Sequence, residues 1–173
     1  MGGMGEMMAV QIRVATLEDL PKLLDIYNHE VLCGTATFDT QPWTLERRRE
    51  WFDAHNVDNH PLLVAVDDDG VVAGYASLSP YRDKDAYAAT VELSVYIAAD
   101  RRGRGLGRAL MEAILDLARA DERTHVVVSV ITAGNEASMH LHEELGFCYS
   151  GTLHEVGVKF GRYLDVINYE LLV

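Results

Sequence analysis

The chain has 173 residues, 49% of them hydrophobic, which suits one globular unit with a substantial core. Its 27 acidic residues outnumber 15 Lys and Arg, for a formal net charge of -12, and this argues against nucleic acid as a partner because phosphate backbones need a basic surface. No apolar run approaches a membrane span, and Cys33 and Cys148 match no metal spacing, so a reduced, cytoplasmic, metal-free protein is expected.

Residues 1–8 lack a positive region followed by an apolar core, and position six is Glu6 rather than Ser or Thr, so neither a signal peptide nor a myristoylation site is expected. They read as a ragged start ahead of a single domain at 9–173. Met8 to Val14 predicts a first strand. Thr16-Leu17-Glu18-Asp19 resembles a capping box opening a helix whose buried stripe is Leu20, Leu23, Leu24, Tyr27 and Val31, and Cys33-Gly34 ends it. Thr35 to Trp43 has no helical period; it reads as a loop pinned by Phe38 and Trp43, or as one wall of a substrate pocket. Thr44 caps a second helix to about His55, anchored by Leu45, Trp51 and Phe52.

Leu62–Val66 and Val71–Leu78 predict strands around an Asp67-Asp68-Asp69-Gly70 turn. That turn lacks the alternating ligands and distal Glu of a calcium loop. Further on, His125–Ile131 predicts a buried strand, a helix starts near Asn135 and ends at Gly146, and Phe147–Val158 and Tyr163–Leu172 close the chain as strands.

The stretch from Thr90 to Ala120 organises the rest. Thr90–Ile97 alternates strictly, so Val91, Leu93, Val95 and Ile97 share one strand face and Thr90, Glu92, Ser94 and Tyr96 the other. Leu106, Leu110, Ile114 and Leu117 fall at helical spacing. Between them lies Arg101-Arg102-Gly103-Arg104-Gly105-Leu106-Gly107-Arg108. Glycines at alternate positions let a ligand approach the backbone where the helix's first turn has free N–H groups and the positive end of its dipole. With the arginines around it, this junction predicts a phosphate or pyrophosphate site. No Gly-Lys-Ser/Thr follows, and the glycine spacing does not fit a dinucleotide fingerprint.

Arg102-Gly103-Arg104-Gly105-Leu106-Gly107 resembles the Arg/Gln-x-x-Gly-x-Gly/Ala signature of the GNAT superfamily of N-acetyltransferases. The predicted order β-α-α-β-β-β-α-β-α-β-β is similar to the GNAT order from about Ile12 onward. The resemblance implies an α+β (α/β sandwich) GNAT fold: a mixed central sheet of about seven strands, helices on both faces, and a splayed strand pair holding acetyl-CoA. It implies that Arg102, Gly103, Arg104, Gly105, Gly107 and Arg108 cradle the pyrophosphate. Val95 and Ile97 would lend backbone groups to the pantetheine arm, and Asn135 and Ser138 match a later Asn-x-x-Ser/Ala motif that contacts the cofactor near its thiol.

Thr90-Val91-Glu92-x-Ser94-Val95-Tyr96 is similar to the phosphinothricin and methionine sulfoximine acetyltransferase branch. So are Ile26-Tyr27-Asn28-His29, Thr37-x-Asp39, and Gly157-x-Lys159-x-Gly161-x-x-x-Asp165-Val166. The resemblance implies Glu92 as the base. Arg82 and Lys84 would hold the α-carboxylate of an amino-acid acceptor; read from the residues alone, they belong to an exposed loop paired with Asp83 and Asp85. Phe38 and Tyr96 are expected beside the acceptor. His142 stands where the wider superfamily often has a tyrosine proton donor, and is expected to contact the thiol or to shape the acceptor site. Leu93 departs from the His that many branch members carry after the Glu.

Acetyl transfer needs a group to take the ammonium proton, donors for the developing oxyanion, and a proton for the departing thiolate. For Glu92 to serve as base, partial burial has to raise its pKa. The leading expectation is an acetyl-CoA-dependent N-acetyltransferase for the α-amine of a small amino-acid-like acceptor, working by direct attack; the resemblance to the branch implies a homodimer. Peptide or polyamine acceptors and a non-catalytic acyl-CoA-binding module are the alternatives.

Overall fold

The computed structural model describes residues 10–173, and in them seven strands form one mixed sheet with helices on both faces. Residues 1–9, including Met8 and Ala9 at the start of the expected first strand, lie outside the described residues; β1 runs Gln11–Val14. At the expected capping box, the Asp19 carboxylate accepts from the Thr16 N–H at 2.7 Å and from both terminal guanidinium nitrogens of Arg13, at 2.7 and 2.8 Å. Leu17–Asp19 is a 3-10 turn and α1 is Leu20–Cys33, with Pro21 in the first turn, where its missing N–H costs nothing. Ile26 rather than Leu24 completes its buried stripe.

Thr44 Oγ1 accepts from the Arg47 N–H at 3.2 Å and starts α2, Leu45–Asp53. The expected anchor Leu45 is exposed, and the buried residue of that helix is Arg48. β2 (Leu62–Val66), β3 (Val72–Pro80) and β4 (Thr90–Ile97) follow, then α3 (Leu106–Ala120), β5 (Val126–Thr132), α4 (Glu136–Glu144), β6 (Cys148–Lys159) and β7 (Arg162–Leu172). The sheet order is β1-β2-β3-β4-β5-β7-β6, antiparallel throughout except between β4 and β5.

Period-two alternation divides the core between the two faces. Leu63 and Ala65 pack under Leu110, Met111 and Ile114 of α3, while Leu62, Val64 and Val66 pack on Leu23 and Ile26 of α1. Each fully buried leucine contributes roughly 1.5–3 kcal/mol. Met139 and Leu141 of α4, and Leu145 just past its end, join the α3 side. Leu117, expected in the α3 stripe, is exposed; Met111, Leu115 and Ala118 complete the buried face.

The parallel pair is short. β4 and β5 meet only at Thr90↔Val126, Val91↔Val127 and Glu92↔Val128. Beyond Glu92, β4 stays with β3 as far as Gly74↔Ile97, and β5 stays with β7 as far as Thr132↔Val166. The two strands therefore splay, with Glu92 on the last shared rung.

Candidate active site

The splay opens into a cleft of about 500 Å³. One wall is the edge of β4 from Leu93 to Ile97, with Val95 and Ile97 in it; the other is β5 from Ser129 to Thr132. Past Glu92 this edge of β4 has no strand partner among the described residues, so its backbone groups are available to an extended ligand.

Gly103, Gly105 and Gly107 line one end. Gly103 and Gly105 have φ of 75° and 78°, left-handed values that a side chain resists. Gly105 is the N-cap of α3 and supplies no capping side chain, so the N–H groups of the first turn are left for a ligand. This arrangement fits a pyrophosphate.

The arginines around that end are mostly committed. Arg101 pairs with Asp67, Arg108 with Glu144, and Arg102 Nη2 donates to Glu30 Oε2 at 2.9 Å. Arg102 and Arg108 line the cleft; Arg104 does not, and its Nη2 lies 3.4 Å from the Asp100 carbonyl oxygen. Asn135 and Ser138 also line the cleft, where Asn135 Oδ1 caps α4 by accepting from the Ser138 N–H at 3.3 Å.

Glu92 lies at the apex of the cleft, half-buried. Burial alone pushes its carboxyl pKa up, and among the described residues no cation or hydrogen-bond donor pairs with it. That is the environment a carboxylate base needs near neutral pH.

His142 also lines the cleft, with Nδ1 2.7 Å from the Ser138 carbonyl oxygen and Nε2 2.9 Å from Ser129 Oγ. A carbonyl can only accept, so Nδ1 carries the hydrogen. Burial, opposed by the Ser138 carbonyl, lowers the ring's pKa and keeps it neutral. Nε2 is then a lone pair receiving the Ser129 hydroxyl, with no hydrogen to give a thiolate.

Tyr96 lines the cleft and its ring packs 5.5 Å from that of Tyr27 and 5.4 Å from that of Tyr75. Burial holds its phenol pKa well above the ordinary value. Phe38 is outside the cleft proper, its ring against Gly157 of β6, where an added Cβ would fall 2.1 Å from it. Arg82 and Lys84 are exposed on the connection that follows β3 and do not line the cleft itself. Arg82 lies over the rings of Tyr81 and Tyr87, at 4.9 and 5.8 Å, rather than against Asp83 or Asp85.

Two further residues, Glu30 and Lys159, belong to this region. Glu30 Oε1 accepts from the Ala36 N–H at 3.0 Å, and Lys159 Nζ donates to the Thr37 and Glu30 carbonyls at 2.8 and 3.3 Å, so both brace the loop that carries Phe38. The signal for Glu30 was its place between Tyr27 and Val31, a carboxylate within an apolar stripe.

A glycine-lined helix N-terminus, a splayed strand pair running from it and a half-buried carboxylate on the last rung that pair shares form a cleft suited to an extended, phosphate-bearing ligand beside a proton acceptor. The chain belongs to the acetyltransferase (GNAT) family, which matches residues 23–147. It is 45% identical over 164 residues, 95% of each chain, to the L-methionine sulfoximine/L-methionine sulfone acetyltransferase of Pseudomonas paraeruginosa. It is 47% identical over 163 residues to the phosphinothricin N-acetyltransferase of Streptomyces coelicolor, covering 93% of this chain and 95% of that one. A GNAT superfamily phosphinothricin acetyltransferase from Sinorhizobium meliloti, solved in complex with AcCoA, superposes with a TM-score of 0.91 at 32% identity, over 95% of this chain and 88% of that one. The chain is an acetyl-CoA-dependent N-acetyltransferase, and its sheet and splayed strands are the GNAT fold. No described helix is long and apolar enough to cross a membrane.

Proposed function

We propose that this enzyme acetylates the α-amine of small amino-acid-like acceptors of the methionine sulfoximine, methionine sulfone or phosphinothricin type. The observation that carries the reading is Glu92, a partly buried carboxylate of raised pKa on the last rung shared by β4 and β5. The activities for which the relatives are named support the acceptor class.

Acetyl-CoA supplies the activated thioester. The loop holds its phosphates through Arg102, Gly103, Gly105, Gly107 and Arg108, with Arg104 at the rim. The β4 backbone at Val95 and Ile97 receives the pantetheine arm, and Asn135 and Ser138 lie at the thiol end. Glu92 takes a proton from the acceptor ammonium, directly or through a water, which frees the nitrogen lone pair for direct attack. Unpaired N–H groups of β4 are the donors for the developing oxyanion. His142, holding Ser129, shapes the thiol end. Tyr96 and Phe38 wall the acceptor, and Arg82 and Lys84 attract its carboxylate.

We further infer a homodimer. β6 is an edge strand, and with β7 it exposes Tyr149, Leu153, Val156, Val158 and Tyr163, apolar surface of the kind a partner copy covers. Two exposed free cysteines support a reducing, cytoplasmic location.

The test is thiol release from acetyl-CoA across methionine sulfoximine, methionine sulfone, phosphinothricin, common amino acids, polyamines and short peptides. Saturable turnover on the first three, abolished in Glu92→Gln, is the expected result. Turnover confined to peptides or polyamines would overturn the acceptor assignment.

A further inference from the structure

Ser79 on β3 stands directly opposite Glu92 on β4 in the antiparallel register. Their side chains therefore project from the same face of the sheet, with Cβ atoms about 4.5–5.5 Å apart. Behind Ser79 lies His55, a buried residue just past α2. Its Nε2 is 2.8 Å from Ser79 Oγ, its Nδ1 is 2.6 Å from the Trp51 carbonyl oxygen, and its ring lies 4.3 Å from that of Trp51.

These distances fix the direction of each hydrogen bond. A carbonyl oxygen only accepts, so Nδ1 carries the hydrogen. Burial, opposed by the Trp51 carbonyl and aided by His60 and Arg48, brings the ring's pKa down to about 4, so His55 is neutral at physiological pH and Nε2 is a lone pair. Ser79 must then give its one hydroxyl hydrogen to His55, and only oxygen lone pairs remain for anything on the Glu92 side. A carboxylate likewise only accepts. Two acceptor-only groups side by side cannot satisfy each other; they call for a donor between them, and an ammonium has three hydrogens to give.

We propose that His55 and Ser79 form a positioning pair for the proton transfer at Glu92, in which Ser79 Oγ and the carboxylate together receive the acceptor ammonium. In the step itself the N–H bond breaks with its electron pair staying on nitrogen, and an O–H bond forms at Glu92. The new O–H then donates to Ser79 Oγ, which stabilises the acid form. A serine free to rotate would instead donate to the carboxylate and make it a weaker base. His55 removes that option. The inference rests on Glu92 being the base.

The experiment follows the Glu92 carboxyl by carbon-13 NMR against pH in the free enzyme, alongside pH profiles of kcat/KM with methionine sulfone, for wild type and for Ser79→Ala, His55→Phe, His55→Gln and Glu92→Gln. Acetyl-CoA affinity and circular dichroism control for folding. Ser79→Ala is expected to lower the Glu92 pKa, move the acid limb of kcat/KM to lower pH, and reduce kcat/KM about tenfold, the scale of one lost hydrogen bond, with unchanged acetyl-CoA affinity. His55→Phe releases the hydroxyl and should lower the Glu92 pKa at least as far. His55→Gln, whose Oε1 can take the same hydrogen, should restore it. A Glu92 titration in Ser79→Ala that coincides with wild type overturns the pair, whether or not His55→Phe folds. Glu92→Gln inactive beside an unaltered Ser79→Ala removes the pair alone; an active Glu92→Gln removes the base reading beneath it.

Discussion

Arg102 reaches from the glycine-arginine loop to Glu30 of α1, with Nη2 2.9 Å from Oε2, at the cleft where the cofactor phosphates are expected. A pyrophosphate has to compete with Glu30 for that guanidinium. Glu30→Gln keeps an acceptor for the Ala36 N–H but gives up the charge. It should tighten acetyl-CoA binding about threefold to fivefold, in keeping with the modest worth of a half-exposed ion pair, whereas Arg102→Ala should weaken it about tenfold. Isothermal titration calorimetry at two ionic strengths reads both changes.

On the proposed assignment of Glu92 as base, Glu92→Gln removes the proton acceptor while keeping the shape of the cleft wall. Glu92→Gln should cut kcat by about 10²–10⁴-fold with unchanged acetyl-CoA affinity. Because burial raises the Glu92 pKa and the carboxylate is the active form, wild-type kcat/KM should climb as pH rises through a value above the usual carboxylate range. Stopped-assay pH profiles in constant ionic strength measure this.

Gly157 touches the ring of Phe38, and the nearest ring atom would lie 2.1 Å from an added Cβ. Gly157→Ala must therefore displace Phe38. The expected outcome is a rise of about tenfold in acceptor KM with little change in acetyl-CoA affinity, since a misplaced wall weakens binding by about 1.4 kcal/mol. Steady-state kinetics with each substrate varied in turn separates the two.

Arg48 is buried beneath α2 with its guanidinium 3.7 Å from the Trp51 ring centroid and 4.8 and 5.1 Å from those of Tyr27 and Tyr75. Its Nε and Nη2 have no hydrogen-bond partner among the described residues; the ring faces take the charge instead. Arg48→Ala should cost about 3 kcal/mol through the cavity it leaves, whereas Arg48→Met, which fills most of that space without a desolvated charge, should cost less than about 1 kcal/mol. Urea denaturation of the two variants discriminates the contributions.

His55 and His142 are both held below the ordinary histidine pKa, His55 to about 4. Between that value and about 6.5 the unfolded chain binds protons the folded chain refuses, so stability is complete above about 6.5 and falls as pH drops. His55 alone accounts for about 3 kcal/mol across that window. Glu92 acts in the opposite sense, because its raised pKa favours the folded state as pH falls through it. The histidines outnumber it, so the melting temperature should decline from pH 7 to pH 5, and His55→Phe should flatten the decline. Differential scanning calorimetry over that range checks the slope.

Local chemistry was legible wherever one element decided it. Thr90–Ile97 reads as a strand by strict alternation, Gly103 and Gly105 mark left-handed backbone at a helix start, and the structure carries both. Composition misled where contacts came from far along the chain. Nothing within α2 sets Arg48 apart from Arg47 and Arg49, yet Arg48 is buried because Tyr27 of α1 and Tyr75 of β3 close over it together with Trp51 of its own helix. Leu45, the first residue of the same helix, is left exposed.

By itself, then, the sequence determined the strands, the helices, the anion cradle and the carboxylate that follows from Thr90-Val91-Glu92, since these depend on residue spacing within about a dozen positions. Only the tertiary structure decided how those parts act on one another. It paired Arg102 with Glu30, 72 positions away. It set Ser79 against Glu92 through strand register and turned the Ser79 hydroxyl toward His55, 24 positions back along the chain. Hydrogen-bond direction and desolvation depend on neighbours that folding brings together, and no local pattern encodes them.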